Sequence, residues 1–315
     1  MDLTTVDPKT NKRITSVAGS RTNLKIVLNA SVFRILPSLD SDEFVANGVE
    51  FLVDGQKHAV LTTLGGEVIL SAGTINSPKI LELSGIGDRT ILIGLGIETK
   101  VDLPAVGTNV QLQYAPYAPE ERTISSDQVR ARSANGEGLF TLGIVGVMMA
   151  PLSAITDRAA EIEVNIPEPD DVPGNAELYA EQVALMQEGA ANAEFLSIPG
   201  FYSFPSASSY VGHKVRFVVC YVETPILERN CCTEVKPGPS AQTDEDLALW
   251  LNKHATTLHH ACGSCSMLPM DKGGVVDPEL RVYGTKGLRI LDLSVIPLIP
   301  SAHTQSVVCA LAEQS

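Results

Sequence analysis

The chain has 315 residues, a length that suits about two domains, and 44% of them are hydrophobic against 19% charged, which excludes a disordered chain. Its formal net charge of −14, from 23 basic and 37 acidic side chains, argues against a nucleic-acid partner. Six cysteines (Cys220, Cys231, Cys232, Cys262, Cys265 and Cys309) are not a disulfide framework in a chain this long.

In chain order, the opening Met1–Pro8 has no charged stretch leading into an apolar one, so it does not read as a signal peptide. Residues 24–36, LKIVLNASVFRIL, are apolar and β-branched and predict a buried strand or two short ones. Residues 48–53, 58–62 and 67–71 read as strands, with Gly65-Gly66 as a turn between the last two. Asn76-Ser77-Pro78 then predicts a helix over Lys79–Leu83 that stops at Ser84-Gly85. Residues 114–133 read as a loop and domain exit, and the acidic, Pro-rich 160–175 as another loop. Between them, residues 138–155 carry no charge; a buried segment is expected, with a membrane span as the lesser alternative. Residues 175–190 predict a helix ending at Gly189. Asp244–His254 predicts a second helix, with Thr243 as its N-cap. Residues 287–293, GLRILDL, predict a strand.

Three segments carry candidate chemistry. In Gly73–Gly87 a strand ends in glycine and feeds a helix; such a turn lets a backbone approach a ligand, and a helix N-terminus favours an anion. On physics alone an ordinary turn is the simpler reading. Thr257–Met267 packs His259, His260, Cys262 and Cys265 together, which invites zinc, but ligands so close in sequence do not easily surround one tetrahedral ion. In Gly287–Gln305 a strand runs into Asp292-Leu293-Ser294 and a loop bearing His303, by itself an ordinary loop histidine.

Taken together, these segments resemble the glucose–methanol–choline (GMC) oxidoreductases. Gly73–Gly87 is similar to the family's second signature. The H-x-x-G-S-C run at 260–265, Gly274–Gly284 and GLRILDLSVIP follow its C-terminal portion in order, and Ala302-His303-Thr304-Gln305 resembles the fungal aryl-alcohol-oxidase-like branch. The resemblance implies FAD as cofactor and a small alcohol as substrate, oxidised by hydride transfer to the flavin. His260 then matches the base and His303 the second group on the substrate hydroxyl. Val32, Gly73, Asp292, Leu293 and Thr304 match positions near the cofactor, and no metal is implied. The family's fold implies α/β plus α+β architecture: a glutathione-reductase-like FAD-binding domain and a mixed-sheet substrate domain. The expected segments are 1–112 (FAD domain), 113–233 (shortened substrate domain) and 234–315 (return to the FAD domain with both histidines). Family habit implies secretion.

The sequence departs from the family in three places. No G-x-G-x-x-G occurs: Gly94-Leu95-Gly96 continues to Thr99, and Gly136-Glu137-Gly138 to Thr141. The stretch 205–234 is short and unlike the family, and Gln111-Leu112-Gln113 replaces an expected Asp-His and reads as a junction. These departures predict an incomplete FAD-binding domain that holds FAD weakly. They leave open a non-catalytic remnant that binds partners, and a zinc-stabilised module. Nothing in the sequence sets the oligomeric state.

Overall fold

The computed structural model describes residues 22–112, 114–116, 146–155, 157–164, 172–191, 193–197, 243–257 and 259–315. The expectations for Cys220, Cys231, Cys232 and residues 205–234 lie outside them. Two compact units form: one of Val17–Gln113, Pro167–Ala184 and His259–Ser315, the other of Met1–Ser16, Tyr114–Ile166 and Leu185–Leu258.

The first unit opens with β1 (Ser31–Pro37), paired antiparallel with β2 (Phe44–Val53) from Ser31↔Leu52 to Pro37↔Ala46. β3 (Gln56–Leu61) returns antiparallel on Gly48–Val53 of β2. Next come β4 (Val68–Leu70), α1 (Gly73–Leu83), β5 (Ile86–Gly87), α2 (Arg89–Gly94) and β6 (Val101–Asp102), with β5 and β6 parallel. Asp88 caps α2 by accepting from the Thr90 and Ile91 amides at 2.8 and 3.0 Å.

In the second unit β7 (Tyr114–Pro116) pairs with β10 (Ala255–Thr257), and β8 (Gly146–Ala150) with β9 (Ala193–Ser197), both antiparallel. Helices α3 (Ala159–Val164) and α5 (Asp244–His254) belong to this unit, whereas α4 (Asn175–Gln187) falls mostly within the Pro167–Ala184 segment of the first. The Thr243 hydroxyl accepts the Asp246 amide at 3.1 Å, the N-cap expected for α5.

The chain then returns to the first unit. β11 (Thr285–Lys286) joins β2 in parallel, β12 (Leu288–Ile290) joins β4 in parallel, and α6 (Thr304–Gln314) closes the described chain. Parallel partners so distant in sequence make this core non-local. Its centre holds Ile35, Leu81, Ile86, Val275, Val276, Leu288 and Ile290, each at most 1% exposed.

Several expectations need correction. Of the apolar run 24–36 only 31–36 is strand, because β2 offers a partner to that stretch alone. Leu24, Ile26, Val27 and Leu28 are exposed. The turn expected at Gly65-Gly66 forms, Gly66 N–H donating to Thr63 O at 2.8 Å, but the strands it joins are not paired with each other: β3 stays with β2 while β4 crosses to β12. α1 begins at Gly73, well before Lys79, with Pro78 inside it. Residues 159–164 are helical rather than loop, and 114–116 form a strand. In the apolar run 138–155 the described part is the strand β8 followed by a 3-10 turn over Leu152–Ala154. No helix among the described residues is long and apolar enough to cross a membrane.

Leu81 sits on the buried face of α1 with no exposed surface. Leu81→Ala should lower folding stability by about 2–5 kcal/mol, read as a lower urea midpoint with an unchanged slope.

Candidate active site

Two loops of the first unit carry the candidate histidines. The His260 loop precedes a strip, Cys262–Ser266, whose residues are all buried. Backbone bonds stitch that strip to the segment after β12: Gly263 N–H donates to Leu293 O at 3.3 Å, Cys265 N–H to Ser294 O at 2.8 Å, and Met267 N–H to Val295 O at 2.8 Å. The later segment runs on to His303. The two imidazole rings stand edge to face, their centroids 6.1 Å apart and their planes at 89°. Both are half-buried. His259 is exposed and adopts φ +62°, a left-handed conformation uncommon outside glycine, so it turns the chain directly ahead of His260. His58 of β3 stacks on Phe51 across the strand pair in β2, and His254 stacks on Trp250 within α5.

Helix α1 holds the other side of the His260 loop. Pro78 has no N–H, so the carbonyl four residues earlier, on Thr74, loses its helical donor. The Ser264 hydroxyl replaces that donor, binding Thr74 O at 2.6 Å, while the Thr74 hydroxyl donates to Ala261 O at 2.7 Å. The residue following His260 is thereby tied to the first turn of α1. Gly263 completes the approach: it has φ +91°, and a Cβ there would lie 2.3 Å from Asn109 O.

The anion at the N-terminus of α1 is the chain's own Asp292. Its Oδ2 accepts from Gly73 N–H at 2.9 Å and from the Ser77 hydroxyl at 2.5 Å, and its Oδ1 from Ser294 N–H at 2.8 Å. A carboxylate suits the positive end of a helix dipole. Gly73 and Asp292 are thus engaged with one another. Leu293 is half-buried with its carbonyl on Gly263, Thr304 is the buried first residue of α6, and Val32 lies on the outer strand β1 with 36% of its surface exposed.

The cysteines face inward. Burial pushes the Cys262 thiol up to about 11 and the Cys265 thiol to about 12, from an ordinary 9.0. Zinc binds thiolates, so burial works against the ligand form. Among the described residues no group of three His, Cys, Asp or Glu could hold a metal ion. A shallow cavity of about 370 Å³ lies elsewhere, around Asp277, Arg281, Tyr283 and Lys286, with no lining residue from either histidine loop.

Sequence reasoning missed Thr74, Ser264, Asn109 and Gln111. One signal for Thr74 was available: a proline inside a helix orphans the carbonyl four residues back. For Gln111, read as a junction, there was none.

Two family models, both described as GMC oxidoreductase, match residues 10–115 and 222–312. The GMC oxidoreductase family protein Mala s 12 of Malassezia sympodialis is 29% identical over 94% of this chain and 56% of its own length. An oxygen-dependent choline dehydrogenase of Staphylococcus saprophyticus is 30% identical over 95% of this chain and 57% of its own. The chain thus spans little more than half the length of these curated relatives. Among solved structures, an FAD-dependent oxidoreductase from Chaetomium thermophilum superposes with a TM-score of 0.75, at 22% identity, over 98% of this chain and 65% of that one. A fungal aryl-alcohol oxidase superposes with a TM-score of 0.64, at 24% identity, over 90% of this chain and 59% of that one. Both likenesses show the fold, of mixed α and β content.

Two predictions follow from the buried groups of this site. Asp292→Ala leaves three donors without their anion and should cost about 3 kcal/mol or more, measured by denaturant unfolding. Unfolded thiols ionise near 9.0, whereas the folded ones stay protonated to about 11 and about 12, so the unfolded state sheds protons first. Stability should therefore fall as pH rises through that window. The fall should be shallower in the Cys262→Ala, Cys265→Ala double variant, followed by urea midpoints across the alkaline range.

Proposed function

Because the chain belongs to the GMC oxidoreductase family, two of whose models together match more than half of its residues, we propose that it oxidises a small alcohol with FAD, using His260 as the base. The observation that carries this reading is the edge-to-face approach of His260 and His303 at 6.1 Å, from loops far apart in sequence.

Imidazole suits the work required. The alcohol O–H must lose a proton near neutral pH, and a histidine nitrogen within hydrogen-bond reach can take it. His303 holds the same oxygen from a second direction, which fixes the alcohol so that one C–H is aimed consistently. The Ser264–Thr74 exchange keeps the His260 loop from drifting. FAD, when bound, supplies the hydride acceptor that no side chain can provide.

The chain's residues suit parts of that cofactor. Helix α6 begins at Thr304 without a side-chain cap, so its first amide groups and the helix dipole favour the electron-rich edge of a flavin ring. Val32, exposed on an outer strand, offers backbone and apolar surface to an adenine. The N-terminus of α1 does not suit the pyrophosphate, because Asp292 already fills it. On this reading the chain is an FAD-binding domain of glutathione-reductase-like type, with residues 1–112 and 234–315 on the cofactor side and 113–233 toward substrate. The family names of its relatives, choline dehydrogenase and aryl-alcohol oxidase, support a primary alcohol as the substrate class.

A second reading, a binding protein without catalysis, is favoured by one observation: the sequence contains no G-x-G-x-x-G for the pyrophosphate.

The two readings separate in one experiment. The purified chain is incubated with FAD, desalted and given a panel of primary alcohols. Retained flavin absorbance that bleaches with alcohol is expected. In His260→Ala the bleaching should slow by about 10²–10⁴-fold with flavin still bound. A colourless protein, or an unchanged rate in the variant, rejects the proposed oxidation.

A further inference from the structure

We propose that Gln111 is the positioning residue that sets the separation of His260 and His303. This rests on the reading of those histidines as the reacting pair, and it assigns their geometry to one residue, through its backbone on one side and its side chain on the other.

Gln111 is half-buried and touches both histidine loops at once. Its backbone forms an isolated antiparallel bridge with Cys262, donating to Cys262 O and accepting from Cys262 N–H, each at 3.0 Å. That anchors the chain two residues beyond His260. Its side chain reaches the other loop: Nε2 donates to Pro297 O at 2.7 Å, and Oε1 accepts from Ile299 N–H at 3.0 Å. Those carbonyl and amide groups lie shortly before His303 in the chain. The amide is held in this orientation by two more bonds: Nε2 also donates to Asn109 Oδ1 at 3.0 Å, and Gln182 of α4 donates to Oε1 at 3.0 Å.

The geometry points to a crosspiece. A planar amide with both ends engaged has one orientation; both ends of this one hold the segment leading to His303, while the backbone of the same residue holds the His260 loop at Cys262. Asn109 braces it, donating to the same Pro297 carbonyl at 2.9 Å and to the Ser266 hydroxyl at 3.0 Å. The backbone bridge to Cys262 does not depend on residue type, whereas the two bonds to residues 297 and 299 do. Removing the amide therefore takes two hydrogen bonds from the segment leading to His303, leaving Asn109 alone on Pro297 O, and leaves the His260 loop in place. The Asn109 side chain also joins the two segments, through Ser266 and Pro297, but only Gln111 reaches Ile299, the nearer of these groups to His303.

The test uses the full chain with isotope-labelled histidines. Gln111→Met keeps the length of the side chain and removes its hydrogen bonds. The native protein should show a nuclear Overhauser contact between the His260 and His303 rings, assigned with His260→Ala and His303→Ala. That contact should be lost in Gln111→Met while cooperative unfolding is retained. Gln111→Glu keeps the acceptor for Ile299 N–H and loses the donor to Pro297 O, so it should show a weakened contact. If Gln111→Met does not fold, Gln111→Glu decides the matter. A contact of native strength in whichever of these variants folds, or its absence from the native protein, overturns the proposal. The readout needs neither flavin nor alcohol. An inactive chain that keeps a Gln111-dependent ring contact would reject the proposed oxidation and leave this inference standing.

Discussion

The Asp292 carboxylate is the interaction on which the rest of the first unit depends. It ends β12, and by accepting the Gly73 amide and the Ser77 hydroxyl it allows α1 to begin directly after β4. The two parallel strands and the helix that follows one of them are thereby locked to a single carboxylate. Charge-assisted bonds of this kind contribute about 1.5–3 kcal/mol each, comparable with the burial of a core side chain. The same bonds mean that the positive end of α1 is neutralised from within the chain.

A second consequence runs through α1 itself. With the helix starting at Gly73, Pro78 falls inside it and strips Thr74 of its carbonyl's donor. Ser264 fills the vacancy, and the Thr74 hydroxyl returns a bond to Ala261. A local defect in one helix thus becomes a tether for the loop that bears His260. Gln111 and Asn109 close the other side, toward Pro297 and Ile299. The histidines are held by hydrogen bonds to backbone groups on both flanks, which leaves their rings to face one another.

Much of the local structure was legible. The α5 helix with its Thr243 cap follows from a run of acidic and apolar residues behind a hydroxyl. Strands β2, β3, β4 and β12 follow from alternation or β-branched runs, with boundaries wrong by a few residues. The apolar run 24–36 misled because strand formation needs a partner: the β1–β2 ladder ends at the pair Ser31↔Leu52, and nothing described pairs with Leu24–Leu28. The start of α1 misled because Pro78 is a good first-turn residue, and only an external hydroxyl makes it acceptable deeper in the helix.

By itself, the sequence determined which side chains are available: two histidines in the right company, an aspartate after a strand, a proline and a serine whose roles were not declared, and the order of motifs that reveals the family. Those are matters of composition and short-range spacing, and they survive reading in one dimension. The tertiary structure alone decided that Asp292 caps a helix begun more than two hundred residues earlier, that Ser264 answers for Pro78, and that Gln111 spans two loops. Each is a hydrogen bond between groups distant in sequence, directed by angle and distance. No local pattern encodes a partner that arrives only when the parallel strands have paired.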